Sequence, residues 1–352
     1  MTQIVFVYGT RPEAIKIGPV SAALRRLKVE PVIIATGQHT DLLRGTPTES
    51  DLRGGKSLGL KSLDSVEGWL HHAAPILQKA LPDESLVVVQ GDTMSAYAGA
   101  VAASQRGLPI AHIEAGVRSF DLSDPWPEED LRRRITRLAD WHYAPTSTAW
   151  SNLAREGIPP NRIVTTGNPV VSALNRYTTV SPVAEPEPEI LVTMHRREWR
   201  TKGGVVETVN AFAEAAREYW DWTIRWPVHP AIKRYFPKGA FPDNLILDAP
   251  LAYERFAPLL ASCWGVITDS GGVQEEAATL GVPTAVLRHN TDRPEAVAQG
   301  IAKLFDPDAR GVEEAFEWLR HPPERNPSQI YGTPEAAFLI AQHLANLARR
   351  GT

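Results

Sequence analysis

The sequence predicts an α/β protein built from two doubly wound, parallel-sheet domains. Three observations lead there. Short apolar runs of strand length alternate with longer helical patterns through most of the chain. The chain has 352 residues, beyond the ~250–300 at which a single hydrophobic core stops growing. The stretch Ser181–Glu189, rich in Pro and Glu, breaks the alternation near its middle. Such a stretch is expected as an interdomain linker, unsuited to helix or central strand.

In the first half the runs Ile4–Tyr8, Pro31–Ala35, Leu86–Gln90, Ile110–Ile113, His142–Ala144 and Ile163–Thr165 read as buried strands. Amphipathic stretches such as Pro19–Leu27 and Ala96–Arg106 lie between them. A second series follows with Ile190–Met194, Trp222–Pro227, Asn244–Leu247, Gly265–Thr268 and Thr284–Leu287. The expected division is 1–175, 176–333 and a final segment 334–352. Within that segment Pro334–Arg349 carries apolar residues at helical spacing and is expected to pack back on the first domain. Two doubly wound domains leave one natural ligand site, the cleft between the carboxyl ends of both sheets.

Composition narrows the function. The formal net charge of −4 gives no basic field for nucleic acid or anionic membrane, so an anionic ligand must be held by local groups. Apolar residues at 43% and charged residues at 22% are ordinary for a protein with a real core. A single cysteine, Cys263, excludes an internal disulfide. The chain starts directly on a strand pattern, and no apolar run approaches the ~18 residues of a membrane span. A cytoplasmic protein is expected.

The chemically interesting residues fall just after the strands. Tyr8-Gly-Thr-Arg-Pro-Glu-Ala-Ile-Lys16 follows the first. Pro12 suits a first helical turn, whose amides attract anions, and Arg11 and Lys16 add positive charge. The plain alternative is a strand–helix turn with solvated charges. The motif is neither a dinucleotide fingerprint nor a Walker loop, so no nicotinamide cofactor is expected. In Gln90-Gly-Asp-Thr-Met94, Asp92 stands where strand gives way to helix, as an acid–base group or as an N-cap. In His112-Ile-Glu-Ala-Gly-Val-Arg118, a continuing strand would put His112 and Glu114 on one face. Glu114 then faces the cleft, or pairs with Arg118. Glu128 opens Glu128-Glu-Asp-Leu-Arg132, where the helix dipole accounts for Glu129 and Asp130. Three carboxylates at strand ends around one cleft point to proton transfer.

In the second half His195 follows a strand within Thr193–Trp199, an apt phosphate partner or proton carrier, and His229 closes another strand. No spacing of His, Cys or carboxylates fits a metal site, and no catalytic metal is expected. Val266-Ile-Thr-Asp-Ser-Gly-Gly-Val-Gln-Glu-Glu276 reads as strand, glycine turn, helix. Ser270, Gly271 and Gly272 bring amides against a phosphate, and Glu276 can accept from a ribose diol. Arg293 lies in a proline-bounded loop, either exposed or orienting substrate.

Taken together, these segments resemble the non-hydrolysing UDP-N-acetylglucosamine 2-epimerases. The resemblance rests on Gly9–Lys16, Thr36-Gly-Gln-His39, Gly91-Asp-Thr93, His112–Arg118, Pro127-Glu-Glu129, Met194–Glu198, Thr268–Glu276 and Arg293-Pro-Glu-Ala296, in one order. It implies two Rossmann-like domains in a GT-B-like arrangement, and commonly a homodimer. It implies no cofactor and a UDP-N-acetylglucosamine substrate. UDP is eliminated as the C2 proton leaves, and a 2-acetamidoglucal intermediate takes UDP back with C2 inverted. The positions matching the chemistry are Asp92, Glu114, Glu128 and His195. Those matching nucleotide-sugar contacts are Arg11, Lys16, Phe256, Ser270, Gly271, Gly272, Glu276 and Arg293. The chain departs from the family pattern at Leu131, Trp199, Leu251 and the rebuilt segment Thr40–Leu60. Family members in bacteria bind a second UDP-N-acetylglucosamine as activator near these segments, so weakened activation is expected. A hydrolysing epimerase, a glycosyltransferase of the same architecture and a silent nucleotide-sugar-binding protein are the alternatives, and fold separates none of them.

Overall fold

The computed structural model describes residues 2–37, 47–60, 65–179, 185–194, 202–228, 233, 236–237, 239 and 241–351. The chain forms two compact units, Met1–Ala173 with Tyr331–Thr352, and Leu174–Ile330.

The first unit holds a parallel sheet of seven strands. They are β1 (Gln3–Tyr8), β2 (Val32–Ala35), β3 (Lys56–Ser57), β4 (Ser85–Gln90), β5 (Ile110–Ile113), β6 (Trp141–Ala144) and β7 (Ile163–Thr165), in the order β3-β2-β1-β4-β5-β6-β7. Every residue of β4 is buried, as expected of a parallel strand covered on both faces. Side chains alternate across the sheet. Phe6, Tyr8, Ile33 and Val88 join one core with the helices Arg11–Arg26 and Ala336–Arg350. Val5, Val7, Val87 and Val89 join another with Val66–Ala80 and Met94–Gln105. The helix Met94–Gln105, expected to be amphipathic, is buried on almost every side because its many Ala residues fit between sheet and neighbouring helices. The last helix packs through Ile340, Ala341 and Leu344. It is tied by Ser172 Oγ, which donates to Pro334 O at 2.7 Å and accepts from Ala337 N at 3.0 Å.

The second unit holds six parallel strands, β8 (Glu187–Thr193), β9 (Thr223–Pro227), β10 (Leu245–Asp248), β11 (Cys263–Thr268), β12 (Thr284–Leu287) and β13 (Ala302–Phe305), in the order β10-β9-β8-β11-β12-β13. This corrects the linker expectation. Glu187, Pro188 and Glu189 begin β8, a central strand between β9 and β11. The sheet admits them through a register shift: Glu187 pairs with Cys263, yet Ile190 pairs with Gly265. Pro188 falls within that irregularity, where the regular ladder is interrupted. Glu189 is drawn in by Arg225 of β9, whose Nε donates to it at 3.0 Å. The strands β3 and β13 were not anticipated.

Each sheet reverses its order once, between β1 and β4 in the first unit and between β8 and β11 in the second. In open α/β sheets ligands bind beyond the carboxyl ends of strands at such switch points.

Candidate functional site

In the first unit the loops after β1, β4 and β5 meet at the switch point. Gly9 is required by close approach. A Cβ there would lie 2.0 Å from Ser95 Oγ and 2.5 Å from Thr36 Oγ1. The next turn differs from the anion cradle expected of it. Gly9 N and Thr10 N donate to Glu13 Oε2 at 3.1 and 2.7 Å, and Thr10 Oγ1 donates to the same oxygen at 2.7 Å. The helix thus supplies its own anion. Glu13 is wholly buried, and desolvation pushes its carboxyl up to about 7 against these hydrogen bonds. Its other oxygen accepts from Thr93 Oγ1 at 2.8 Å, joining the β1 and β4 loops. Glu13 is not among the expected site residues, although Thr10-x-x-Glu13 is a capping-box spacing.

Asp92 is not the cap of the helix after β4. Thr93 is, accepting from Ala96 N at 3.0 Å. Asp92, partly exposed, meets the Arg132 guanidinium through Nη2 and through Nε at 3.1 Å. Arg132 belongs to the helix Glu128–Leu138 and also contacts Glu129. Glu129 is more than a partner of the helix dipole. It is fully buried, accepting from Ser119 N at 3.0 Å and Arg133 Nε at 2.8 Å. Glu128 opens the same helix, is half-buried, and lies one turn before Arg132. Leu131 is buried in the core.

Glu114 corrects two expectations. β5 ends at Ile113, and Glu114 has a φ of 66°, so it does not share a strand face with His112. Nor does it pair with Arg118, which forms a fork with Glu156 at 2.7 and 2.8 Å. Glu114 Oε2 instead meets Lys16 Nζ, and accepts from Gln90 Nε2 at 2.7 Å and Asn168 Nδ2 at 3.4 Å. Lys16 and Glu114 are both buried. Asp92 and Glu114 therefore stand at the carboxyl ends of adjacent strands, each set against a cation. Arg11 is half-buried at the start of its helix.

In the second unit the loop after β11 carries the glycine turn. Ser270 is the N-cap of the helix Gly271–Leu280, and its own N–H donates to Thr268 Oγ1 at 3.0 Å. The amides of Gly271, Gly272 and Val273 open the helix, where an α-helix supplies no internal acceptor. A Cβ on Gly271 would lie 3.4 Å from the Arg293 guanidinium carbon. Arg293 is buried rather than exposed, its Nε donating to Glu275 at 2.5 Å and its Nη1 lying 2.9 Å from Asp292. Glu276 is buried and accepts from Tyr253 Oη at 2.9 Å. Phe256 is half-buried in the same helix as Tyr253. His195, with Gln38, His39, Trp199 and His229, lies outside the described residues. Among the described residues no cluster of His, Cys, Asp and Glu could hold a metal ion.

A family model described as UDP-N-acetylglucosamine 2-epimerase matches residues 22–345. The UDP-N-acetylglucosamine 2-epimerase of Escherichia coli (strain K12) is 35% identical over 380 residues, which span 98% of this chain and 98% of that one. The crystal structure of UDP-GlcNAc 2-epimerase from Neisseria meningitidis bound to UDP-GlcNAc is similar with a TM-score of 0.85 at 31% identity. It covers 98% of this chain and 100% of its own. The structure of a glycosyltransferase of kitacinnamycin shares the fold alone, at 14% identity and a TM-score of 0.63. The fold is thus GT-B-like.

Proposed function

The chain belongs to the UDP-N-acetylglucosamine 2-epimerase family, and from that premise we propose how its residues invert C2 of UDP-N-acetylglucosamine. A carboxylate takes the C2 proton while the C1–O bond to the β-phosphate breaks. This leaves UDP and 2-acetamidoglucal. The phosphate oxygen then returns to C1, and a proton is delivered to the opposite face of C2. Electrons and atoms balance without an oxidant.

We assign the proton transfers to Asp92, Glu114 and Glu128, and a share in the chemistry to His195. The observation that carries the assignment is the pairing of Asp92 and Glu114 at the ends of β4 and β5, held by Arg132 and Lys16. Both carboxylates are thereby held in place at the ends of neighbouring strands. Arg11 and Lys16 add positive charge to the same loops. In the second unit the nucleotide contacts fall to Ser270, Gly271 and Gly272 for phosphate, Glu276 for ribose, and Phe256 and Arg293 around them. The amide cluster and helix dipole at Gly271 support the phosphate role. Tyr253 supports the ribose role, since it fixes one Glu276 oxygen.

The protein is expected to act in the cytoplasm as a homodimer, and among its described residues no helix is long and apolar enough to cross a membrane. The deciding experiment is incubation with UDP-N-acetylglucosamine in deuterated water, with no added cofactor, followed by proton NMR. UDP-N-acetylmannosamine carrying deuterium at C2 is expected. Epimerised product without deuterium would defeat the elimination, and free sugar with stoichiometric UDP would show hydrolysis instead.

A further inference from the structure

We propose that His112 is a positioning residue for Asp92: its imidazole holds the Gly91 carbonyl and so fixes the turn from which Asp92 projects. The proposal rests on the assignment of Asp92 to proton transfer. His112 sits in β5, fully buried, with Nε2 2.7 Å from Gly91 O. A carbonyl oxygen only accepts, so Nε2 carries the hydrogen and Nδ1 is a bare acceptor. Among the described residues Nδ1 has no hydrogen-bond partner. Burial lowers the imidazole to about 3, so it stays neutral and is no proton carrier. A core position alone does not account for such a residue. An apolar side chain of that size would avoid the unsatisfied nitrogen, so the side-chain bond to Gly91, the one His112 makes among the described residues, is what distinguishes it from Leu.

That bond falls on a critical peptide. Gly91 has a φ of +68°, which L side chains rarely adopt. Its N–H donates to Ile113 O at 3.0 Å. Both polar groups of Gly91 are therefore tied to consecutive residues of β5. On the far side of Asp92, Thr93 is tied to Glu13 and to Ala96. Asp92 stands between two fixed neighbours, and its carboxylate meets Arg132 from a set position. Losing the Gly91 anchor frees one side of that turn, and small misplacements of a reacting group lower rates steeply.

The test is a mutant cycle with turnover and UDP affinity read for each variant. His112→Leu removes the donor and is expected to lower turnover ~10–100-fold with UDP affinity unchanged. His112→Gln keeps an N–H of similar reach and is expected to recover most of that loss. In an Asp92→Asn background, His112→Leu should change turnover by no more than about threefold, because the group it positions has already been disabled. If Asp92→Asn alone keeps normal turnover, the assignment of Asp92 fails and the proposal goes with it. If Asp92→Asn is slow but His112→Leu is normal, or lowers turnover equally in both backgrounds, the proposal alone is overturned. Should His112→Leu not fold, His112→Gln decides: retained turnover supports the proposal, and a folded, UDP-binding variant without turnover refutes it.

Discussion

Glu13 makes the stability of the first unit depend on pH in a direction opposite to that of most surface carboxylates. Its carboxyl is raised from 4.5 to about 7, chiefly by desolvation, and only partly offset by Thr10, Thr93 and the Gly9 and Thr10 amides. Between those two values the folded protein holds a proton that the unfolded chain has released. Stability therefore falls as pH rises through this window, and the loss is complete above about 7. The shift of roughly 2.5 pH units corresponds to about 3.5 kcal/mol at ~1.4 kcal/mol per unit. Glu13→Gln has no charge to bury and lacks this dependence. Relative to wild type, the Gln variant should gain about 2.5 kcal/mol between about pH 5 and pH 8, whatever its absolute stability. Urea unfolding of both proteins at the two pH values measures the difference. A gap that stays constant, or that moves against the Gln variant as pH rises, refutes the argument. Such a result would mean that the four hydrogen bonds to Glu13 outweigh its desolvation.

Strands were legible where burial on both faces demands a continuous apolar run, as in Leu86–Gln90. The same logic hid one whole strand and the start of another. Lys56–Ser57 is an exposed pair with no pattern to read, and Glu187–Glu189 is a polar entrance to a buried strand. The positions of Asp92 and Glu114 were legible for a topological reason: parallel strands put both at the carboxyl end of the sheet. Their partners were not. Lys16 and Glu114 are 98 positions apart, and Asp92 and Arg132 are 40 apart. Spacing along the chain offers only near neighbours, which is why Arg118 was a candidate for Glu114 although its carboxylate is Glu156. The Glu13 cap is the converse case, a local spacing that sequence alone could have assigned.

Glu276→Ala is expected to weaken UDP binding ~10–100-fold, or ~1.5–3 kcal/mol for hydrogen bonds to a charged acceptor, with Tyr253→Phe losing less. Calorimetric titration of UDP checks both, and unchanged affinity in a folded Ala variant removes Glu276 from the site. Gly9→Ala should lower stability by ~1–3 kcal/mol, since the added carbon would press on Ser95 and Thr36. An unchanged melting temperature would show that the loop yields freely. The last prediction separates catalysis from architecture at Asp92, Glu114 and Glu128. Asp92→Asn, Glu114→Gln and Glu128→Gln keep size and much of the hydrogen bonding, yet remove the base. If the partners Arg132 and Lys16 matter only for folding, each amide should lower the melting temperature and leave the turnover of folded protein alone. If the carboxylates move protons, turnover should fall ~10²–10⁴-fold while UDP still binds. At least two of the three are expected to follow the second pattern. Near-normal turnover in all three would place the chemistry elsewhere, because an amide cannot take the C2 proton that the carboxylate is assigned.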